Sequence, residues 1–410
     1  LHPIHRLSDD ELRLIFMAVA SDFRNPFHRA PYFATTICTV SRRWRAVARS
    51  TASLWNHLVL RPSRVVISRG LPQRTTPWDH FLYVASLCAW APLHVRWNCE
   101  IHPAPLVEFA SAIPNVIRSL DLTAEWSSLP VMASSVFNRL QHLALTVRGE
   151  KDQFLLHHLD SLASLSSFHL YCQYGEAFPP SFTTLSLRGI RNLRFRLIPG
   201  PPLDFVVGTL TTCSQLTALD LRFDFPLGIP HKDTPPICLP ALLTITLADA
   251  ACAIVSFLRA PSAITLCLSE VYDVYVHGSL FGAIHGFVTA SACTLETLAF
   301  YYSYCTAELG DMRLCFSALH TVQYLSVEYS WDEPFAAPFG KAVVDCLRDE
   351  TRAVLPHLHS IFFRGAPRRG RLDIVAAIEH LRRSRARERH VEGCVVDVVD
   401  DFYSDIVPHE

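Results

Sequence analysis

The stretch TVSRRWRAVARSTASLWNHLVL (residues 39–60) joins a helical pattern to an extended one. Its first part repeats apolar residues at helical spacing, at Val40, Trp44, Val47 and Ala48. Arginines fill most of the remaining positions, and Ser41 is placed to cap the start of the helix. Apolar residues then alternate over WNHLVL (55–60). The segment therefore predicts an amphipathic helix followed by a strand.

The sequence upstream, LSDDELRLIFMAVA (7–20), predicts a second amphipathic helix. Ser8 and Glu11 have the spacing of a capping box, and an apolar stripe follows at Leu12, Ile15, Phe16 and Val19. A loop containing Pro26 and Pro31 is expected next, and then a short apolar segment, 32–38. The result is a three-helix unit too small to bury all its apolar side chains, so a partner surface is expected.

Composition narrows the class of protein. Half of the 410 residues are apolar and 18% are charged, so the chain can bury a large core. The net charge is −1, so the protein as a whole has no positive electrostatic potential that would attract nucleic acid or anionic lipid. The thirteen cysteines show no metal-ligand spacing, which favours buried thiols in a reducing compartment. No signal peptide opens the chain and no apolar window reaches a membrane span, so an intracellular, cytoplasmic or nuclear protein is expected.

A short pattern, apolar-x-x-apolar-x-apolar, recurs along the rest of the chain. It occurs at 117–122, 140–145, 165–170, 182–187, 216–221, 242–247, 263–268, 295–300, 322–327 and 358–363. Residues 55–60 are a possible first member and 92–97 a looser one. The segments between them carry helical spacing, for example at Val343, Val344 and Leu347. Strand and helix in alternation predict an α/β solenoid with parallel strands inside and helices outside.

Two families are suggested by these residues. The N-terminal segment, about residues 4–60, resembles an F-box, especially its fungal, basidiomycete-type form, and the later segments resemble irregular leucine-rich repeats. The repeat asparagine is missing: the equivalent positions hold residues such as Glu125, Arg148 and Asp224. Another α/β arrangement therefore stays open. The expected domains are an F-box at 1–60 and a leucine-rich-repeat-like substrate-recognition solenoid at 61–410.

The F-box resemblance implies docking onto an SKP-type adaptor and, through it, onto a cullin. Positions that match the family's motif are Leu7, Leu12, Ile15, Phe16, Val40, Arg43 and Trp44. Ser8 replaces the family's proline, which puts adaptor affinity in doubt. The arginine helix has two other interpretations. One is nucleic-acid binding, although that needs a wider basic surface. The other is a solvated face of an ordinary helical domain.

Catalytic motifs are missing from the sequence: it contains no G-x-S-x-G, G-x-G-x-x-G or H-E-x-x-H pattern, so neither an enzyme nor a cofactor or metal site is predicted. Aromatic residues cluster in and after two neighbouring repeats, at Tyr301, Tyr302, Tyr304, Tyr324, Tyr329 and Trp331. Because tyrosine and tryptophan are frequent at binding hot spots, these residues are candidates for contacts with a protein substrate, with packing under the loops as the alternative.

The resulting hypothesis is a substrate-recognition subunit of an SCF-type cullin–RING ubiquitin ligase. The alternative is a leucine-rich-repeat-like interaction scaffold whose F-box no longer binds the adaptor.

Overall fold

The computed structural model divides the chain into two compact units, the first ending near Gln173. The residues it describes are 6–21, 26–60, 77–88, 91–98, 117–125, 137–148, 159, 162–173, 185–224, 234–272, 279–302, 308–328, 336–347, 354–364 and 396–397.

The first unit begins with helices and continues as a parallel sheet. Its helices are α1 (Asp9–Ser21), α2 (Pro26–Val40), α3 (Arg42–Arg49) and α4 (Pro77–Leu87), with a 3₁₀ turn at Ala52–Leu54. Its strands are β1 (His57–Leu60), β2 (Leu93–Asn98), β3 (Ile117–Glu125), β4 (His142–Arg148) and β5 (Ser167–Gln173). Each strand from β1 to β4 pairs in parallel with the next one along the chain.

The second unit repeats this arrangement. Its strands are β6 (Asn192–Ile198), β7 (Ala218–Phe223), β8 (Ile237–Cys238), β9 (Thr244–Asp249), β10 (Leu258–Arg259), β11 (Thr265–Ser269), β12 (Thr297–Tyr301), β13 (Tyr324–Glu328), β14 (Ser360–Arg364) and β15 (Val396–Asp397). Its helices are α5 (Leu203–Thr212), α6 (Leu280–Ser291), α7 (Leu309–Ala318) and α8 (Ala336–Leu347), with a 3₁₀ segment at Ala250–Phe257. The main sheet has the order β6-β7-β9-β11-β12-β13-β14-β15, and β8 pairs separately with β10.

Alternating apolar residues produce the core of this second sheet. The first apolar position of each strand is aligned across the sheet and buried, at Leu193, Leu219, Ile245, Leu266, Leu298, Leu325 and Ile361. Residues one position away lie on the opposite face, and apart from the buried Ala299 they are more exposed. Because strand side chains alternate between faces, each strand buries one row and leaves the other as an open face.

Helices cover the buried face of the second sheet. Phe300 of β12 packs against Phe281 of α6 and Phe339 of α8, with ring centroids 5.8 Å and 5.3 Å away. Phe316 of α7 meets Phe281 edge-on at 5.6 Å. This cluster fixes three helices on one strand through large aromatic areas. The predicted α/β class with parallel strands is confirmed.

Two details of the sequence prediction are wrong. The expected loop with Pro26 and Pro31 lies within α2, whose first position is Pro26. Proline is well tolerated there because the first helical N–H groups have no intrahelical partner, and Pro31 removes only one later bond.

The second error concerns the pattern at 182–187, which was expected to be a strand. Residues 185–187 are not in a strand, and the strand of this repeat is β6 instead. The N–H groups of Leu185 and Leu187 donate to the hydroxyls of Thr209 and Thr212 on α5, at 3.2 Å and 3.0 Å. The two threonine hydroxyls therefore accept hydrogen bonds that the carbonyl groups of a neighbouring strand would otherwise accept.

The last strand that the structure describes is β15, and residues 365–395 before it lie outside the described residues. The predicted domain boundary at 60/61 adjoins a range, 61–76, that also lies outside them. Among the helices that the structure describes, none has the length and apolar character needed to cross a membrane.

Candidate interaction surfaces

The start of α1 is fixed by a capping box. The Ser8 N–H donates to Glu11 Oε2 at 2.6 Å, and the Glu11 N–H donates to Ser8 Oγ at 3.2 Å. The hydrogen bond from the Ser8 backbone, followed by one that the Ser8 hydroxyl donates to Glu11 Oε2 at 2.9 Å, lowers the pKa of Glu11. The predicted capping box is confirmed, and Ser8 thus has a structural task in starting the helix.

The interior of the three-helix segment is formed by a subset of the predicted adaptor-binding residues. Leu12 and Phe16 are buried, and the Phe16 ring packs on Trp44 of α3 at 5.1 Å. The Trp55 indole N–H donates to the Ala48 carbonyl at 2.8 Å in buried surroundings. These side chains hold α1, and the 3₁₀ turn at Ala52–Leu54, against α3.

Arg43 joins the beginning of α1 to α3. Its Nε donates to Asp9 Oδ1 at 2.8 Å, and its Nη2 donates to the carbonyl of Leu7. Both partners of the ion pair are exposed, so the pair adds little stability and mainly fixes orientation. At the same end of α3, the predicted cap is confirmed: Ser41 Oγ accepts from the Trp44 N–H at 3.1 Å.

Some large apolar residues of α1 and α2 are exposed. Ile15 is 45% exposed and Val40 57%, and Leu14 and Val19 are exposed as well. Only part of the predicted apolar stripe of α1 is therefore buried: Leu12 and Phe16 pack inward, whereas Ile15 and Val19 are exposed. Leu14 was missed because helical spacing places it opposite the stripe. Large apolar side chains that are left exposed are candidates for contact with a partner.

Three of the six predicted substrate-binding aromatics lie on or beside the open face of the second sheet. Tyr301 is half-buried, Tyr302 is 36% exposed and Tyr324 is 44% exposed. Tyr304, Tyr329 and Trp331 lie outside the described residues. None of the three described tyrosines is buried in the interior, so all three stay candidates for contact with a substrate.

Small residues separate these rings on the open face. Ser326 of β13 lies in register with Ala299 of β12 and with Phe362 of β14, whose ring is exposed. Burial raises the pKa of Tyr301, as does the neighbouring Cys267 thiol, while a hydrogen bond with Ser326 opposes the shift. Tyr301 therefore leans over Ser326, with Tyr324 and Phe362 nearby. Phe362 was not recognised from the sequence because its repeat position is usually small or polar here.

Three strands of this sheet end in a non-glycine residue with left-handed backbone. The φ values are 56° at Asp249, 52° at Glu270 and 51° at Tyr302, after or at the ends of β9, β11 and β12. Such conformations cost roughly 1–3 kcal/mol each and often occur at functional sites. Their side chains all contact residues of the open face. No sequence signal marks these strand ends.

The first contact is between Tyr302 and Glu328. The Tyr302 hydroxyl donates to Glu328 Oε1 at 3.0 Å, and the Tyr302 N–H donates to the Glu328 carbonyl at 2.8 Å. Glu328 also lies in register with Tyr301. One carboxylate is thus held between two tyrosines at the carboxyl ends of β12 and β13.

The second contact is a charge cluster centred on Arg222 of β7. Its Nη2 donates to Glu270 Oε2, and its Nε lies 3.0 Å from Asp249 Oδ2 and 3.7 Å from Asp224 Oδ1. The Nε–H is not directed at Asp249 Oδ2, so this pair acts through charge rather than a hydrogen bond. Burial and, next, the Glu270 carboxylate raise the pKa of Asp249 to about 7, while Arg222 opposes the shift.

The open face of the first sheet carries a row of histidines. His57 of β1 stacks on His94 of β2 with ring centroids 4.7 Å apart. Burial, followed by His94, lowers the pKa of His57 to about 4, and burial, followed by His142, lowers the pKa of His94. The stacked rings are therefore neutral at physiological pH. Sequence reasoning missed this row because its members are far apart in the chain.

The described part of the chain gives little support for a metal site or for a reactive cysteine. No group of three or more histidine, cysteine or acidic residues there could hold a metal ion. Burial raises the pKa of the Cys88 thiol to about 12 and those of Cys213 and Cys293 to about 11. These thiols stay protonated and are poor nucleophiles.

Comparisons with known proteins do not assign the chain to a family. No family model matches the sequence, and no curated protein matches it either.

Proposed function

We propose that this chain is an F-box substrate receptor of an SCF-type cullin–RING ubiquitin ligase. In this proposal the helices up to about residue 60 dock an SKP-type adaptor, and the leucine-rich-repeat-like solenoid after them recruits a protein substrate. The chain supplies proximity rather than chemistry, since it holds the substrate near a ubiquitin-charged enzyme that other subunits bring. The fungal character and the cytoplasmic or nuclear location belong to the same proposal.

The observation that carries the proposal is the exposure of apolar side chains on α1 and α2. Ile15 and Val40 are exposed, whereas Leu12 and Phe16 are used inside the helical segment. Two of the residues that match the F-box motif are therefore accessible to an adaptor without any rearrangement. The motif residues thus have two tasks: the buried ones maintain the helices, and the exposed ones are available for the interface.

The open face of the second sheet supports the receptor half of the proposal. Its central rows are small or polar, such as Thr244, Thr246 and Thr265, and its aromatic residues are concentrated at β12 to β14. A parallel sheet with one face covered by helices leaves the other face for recognition, as in solenoid proteins generally.

Adaptor capture by the intact chain tests the proposal. We expect purified SKP adaptor to retain the wild-type chain, and Ile15→Asp/Val40→Asp to abolish retention while the far-ultraviolet circular dichroism is preserved. Leu314→Asp is the matched control, because Leu314 of α7 is 49% exposed and lies in the other unit. A Leu12→Asp variant is unsuitable, since Leu12 is 1% exposed and its replacement would unfold the helices.

Retention of the surface variant at wild-type level would refute docking through this surface. If the folded wild-type chain is not retained at all, the alternative function follows, an interaction scaffold whose helical unit no longer binds the adaptor. Ser8 is the residue that motivates this alternative, because it occupies the proline position of the motif.

A further inference from the structure

Three strands of the second unit, β7, β9 and β11, end at the charge cluster centred on Arg222. Asp249, at the end of β9, is its most enclosed carboxyl group: the residue is 7% exposed, and its Oδ2 atom is buried. That oxygen lies 3.0 Å from Arg222 Nε, but the Nε–H is not directed at it, and Arg222 Nη2 donates to Glu270 instead. The structure therefore buries a carboxyl oxygen without a hydrogen bond, which is costly when the group is charged.

The backbone is strained at two of these acidic residues. Asp249 and Glu270 have φ values of 56° and 52°, in the left-handed region that residues with a side chain rarely adopt. Both side chains contact Arg222, which helps to hold them there. The 3₁₀ segment Ala250–Phe257 starts directly after Asp249, so the backbone of Asp249 sets the direction in which the chain leaves β9. Loss of these contacts would release the strain.

The charge of Asp249 decides whether this arrangement is favourable. Among the described residues, the charged groups that act on it are Arg222 of β7, Asp224 after β7, Glu270 after β11 and Arg196 of β6, and the 3₁₀ segment contributes none. Burial and then Glu270 raise the pKa of Asp249 to about 7, and Asp224 adds to the shift while the two arginines oppose it. The buried group is therefore mostly neutral at pH 6 and mostly an anion at pH 8.

We propose that Asp249 is a pH-sensitive switch that closes the carboxyl ends of β7, β9 and β11 when it is protonated and opens them when it is not. The neutral side chain stays buried beside Arg222. Loss of the proton places a second negative charge near Glu270, so the side chain moves to water and the start of the 3₁₀ segment opens. The Glu270 N–H donates to the Tyr301 carbonyl at 2.7 Å, so the switch adjoins the tyrosines of the open face. The inference goes beyond the proposed function and does not depend on it.

Hydrogen–deuterium exchange of the full-length chain, followed by mass spectrometry, tests this switch. Exchange rates at pH 6 and pH 8 are divided by the intrinsic rates of unstructured amides at the same pH. A pKa of about 7 in the closed state and an ordinary 3.8 in the open state predict an opening constant about tenfold larger at pH 8 than at pH 6. We therefore expect the amides of Ala250–Phe257 to lose about tenfold in protection.

Asp249→Asn separates the switch from other effects of pH. Asparagine tolerates left-handed backbone and cannot ionise, so this variant should be equally protected at pH 6 and pH 8. Asp220→Asn is the matched control, because it removes a carboxylate of the same sheet that pairs with Arg194. It should lose protection between pH 6 and pH 8 as the wild type does.

Low urea concentrations distinguish local opening from unfolding of the whole unit. A local opening exposes little surface, so urea should leave the exchange of Ala250–Phe257 nearly unchanged. Equal wild-type protection at both pH values, an equal loss in Asp249→Asn, or a loss that urea accelerates as strongly as global unfolding would each overturn the proposal. An Asp249→Asn variant that is unfolded at pH 6 would also do so, because the neutral side chain defines the closed state.

Discussion

Asp249→Asn is the most informative single change for the stability of the second unit. Asp249 is 7% exposed, and its pKa is raised from an ordinary value of 3.8 to about 7, mainly by burial and then by Glu270. Asp224 adds to the shift, and Arg222 and Arg196 oppose it. Asparagine keeps the shape of the side chain and removes only the ionisable group.

The sign follows from linkage between protonation and folding. A carboxyl whose pKa is raised in the folded state binds a proton more tightly there than in the unfolded chain, so stability falls as pH rises from about 4 to about 7. The full shift corresponds to about 4 kcal/mol. The variant also loses the attraction to Arg222, so we expect a net stabilisation of about 1–2 kcal/mol above pH 7 and little change near pH 4.

Urea unfolding followed by circular dichroism at several pH values measures this difference. The matched control is Asp220→Asn, which removes the Arg194 ion pair on the same sheet and should destabilise by about 0–1 kcal/mol. A destabilised Asp249→Asn variant at pH 8, or an unchanged pH dependence between 4 and 7, would refute the reasoning.

Three further changes test the packing. The stacked His57 has its pKa lowered to about 4 from an ordinary 6.5, so it contributes stability above pH 6.5 that is lost as pH falls toward 4. His57→Gln should reduce this acid sensitivity by about 1–2 kcal/mol, with allowance for its partial exposure, in pH-dependent urea unfolding. Trp55→Phe removes the indole donor from the Ala48 carbonyl, which still accepts from the Thr51 N–H, and should lower the unfolding free energy by about 0.5–1.5 kcal/mol in the same assay. Phe281→Ala removes the ring that contacts three other phenylalanines and should cost about 3–5 kcal/mol, whereas an unchanged melting curve would contradict the described cluster.

The regular features of this fold were predictable because they repeat. The apolar-x-x-apolar-x-apolar pattern locates most strands, and Ser8, Glu11 and Ser41 mark helix starts through local hydrogen bonds. The pattern failed at 182–187, where the decisive acceptors, the hydroxyls of Thr209 and Thr212, come from residues more than twenty positions away.

The candidate surfaces were only partly predictable. Apolar spacing finds the face of α1 but does not show how far α3 covers it, so the exposure of Ile15 and Val19 needed the structure. The charge cluster centred on Arg222 depends on register between strands, since Arg222 and Glu270 lie 48 residues apart in the chain. The left-handed backbone at Asp249 and Glu270 has no glycine to signal it.

The central claim, adaptor docking through the exposed residues of α1 and α2, is tested most directly by calorimetric titration of purified SKP adaptor into the intact chain. The account predicts saturable one-to-one binding that Leu314→Asp preserves and that Ile15→Asp/Val40→Asp abolishes, with both variants folded. A folded wild-type chain that gives no binding, or a surface variant that binds like wild type, would contradict it.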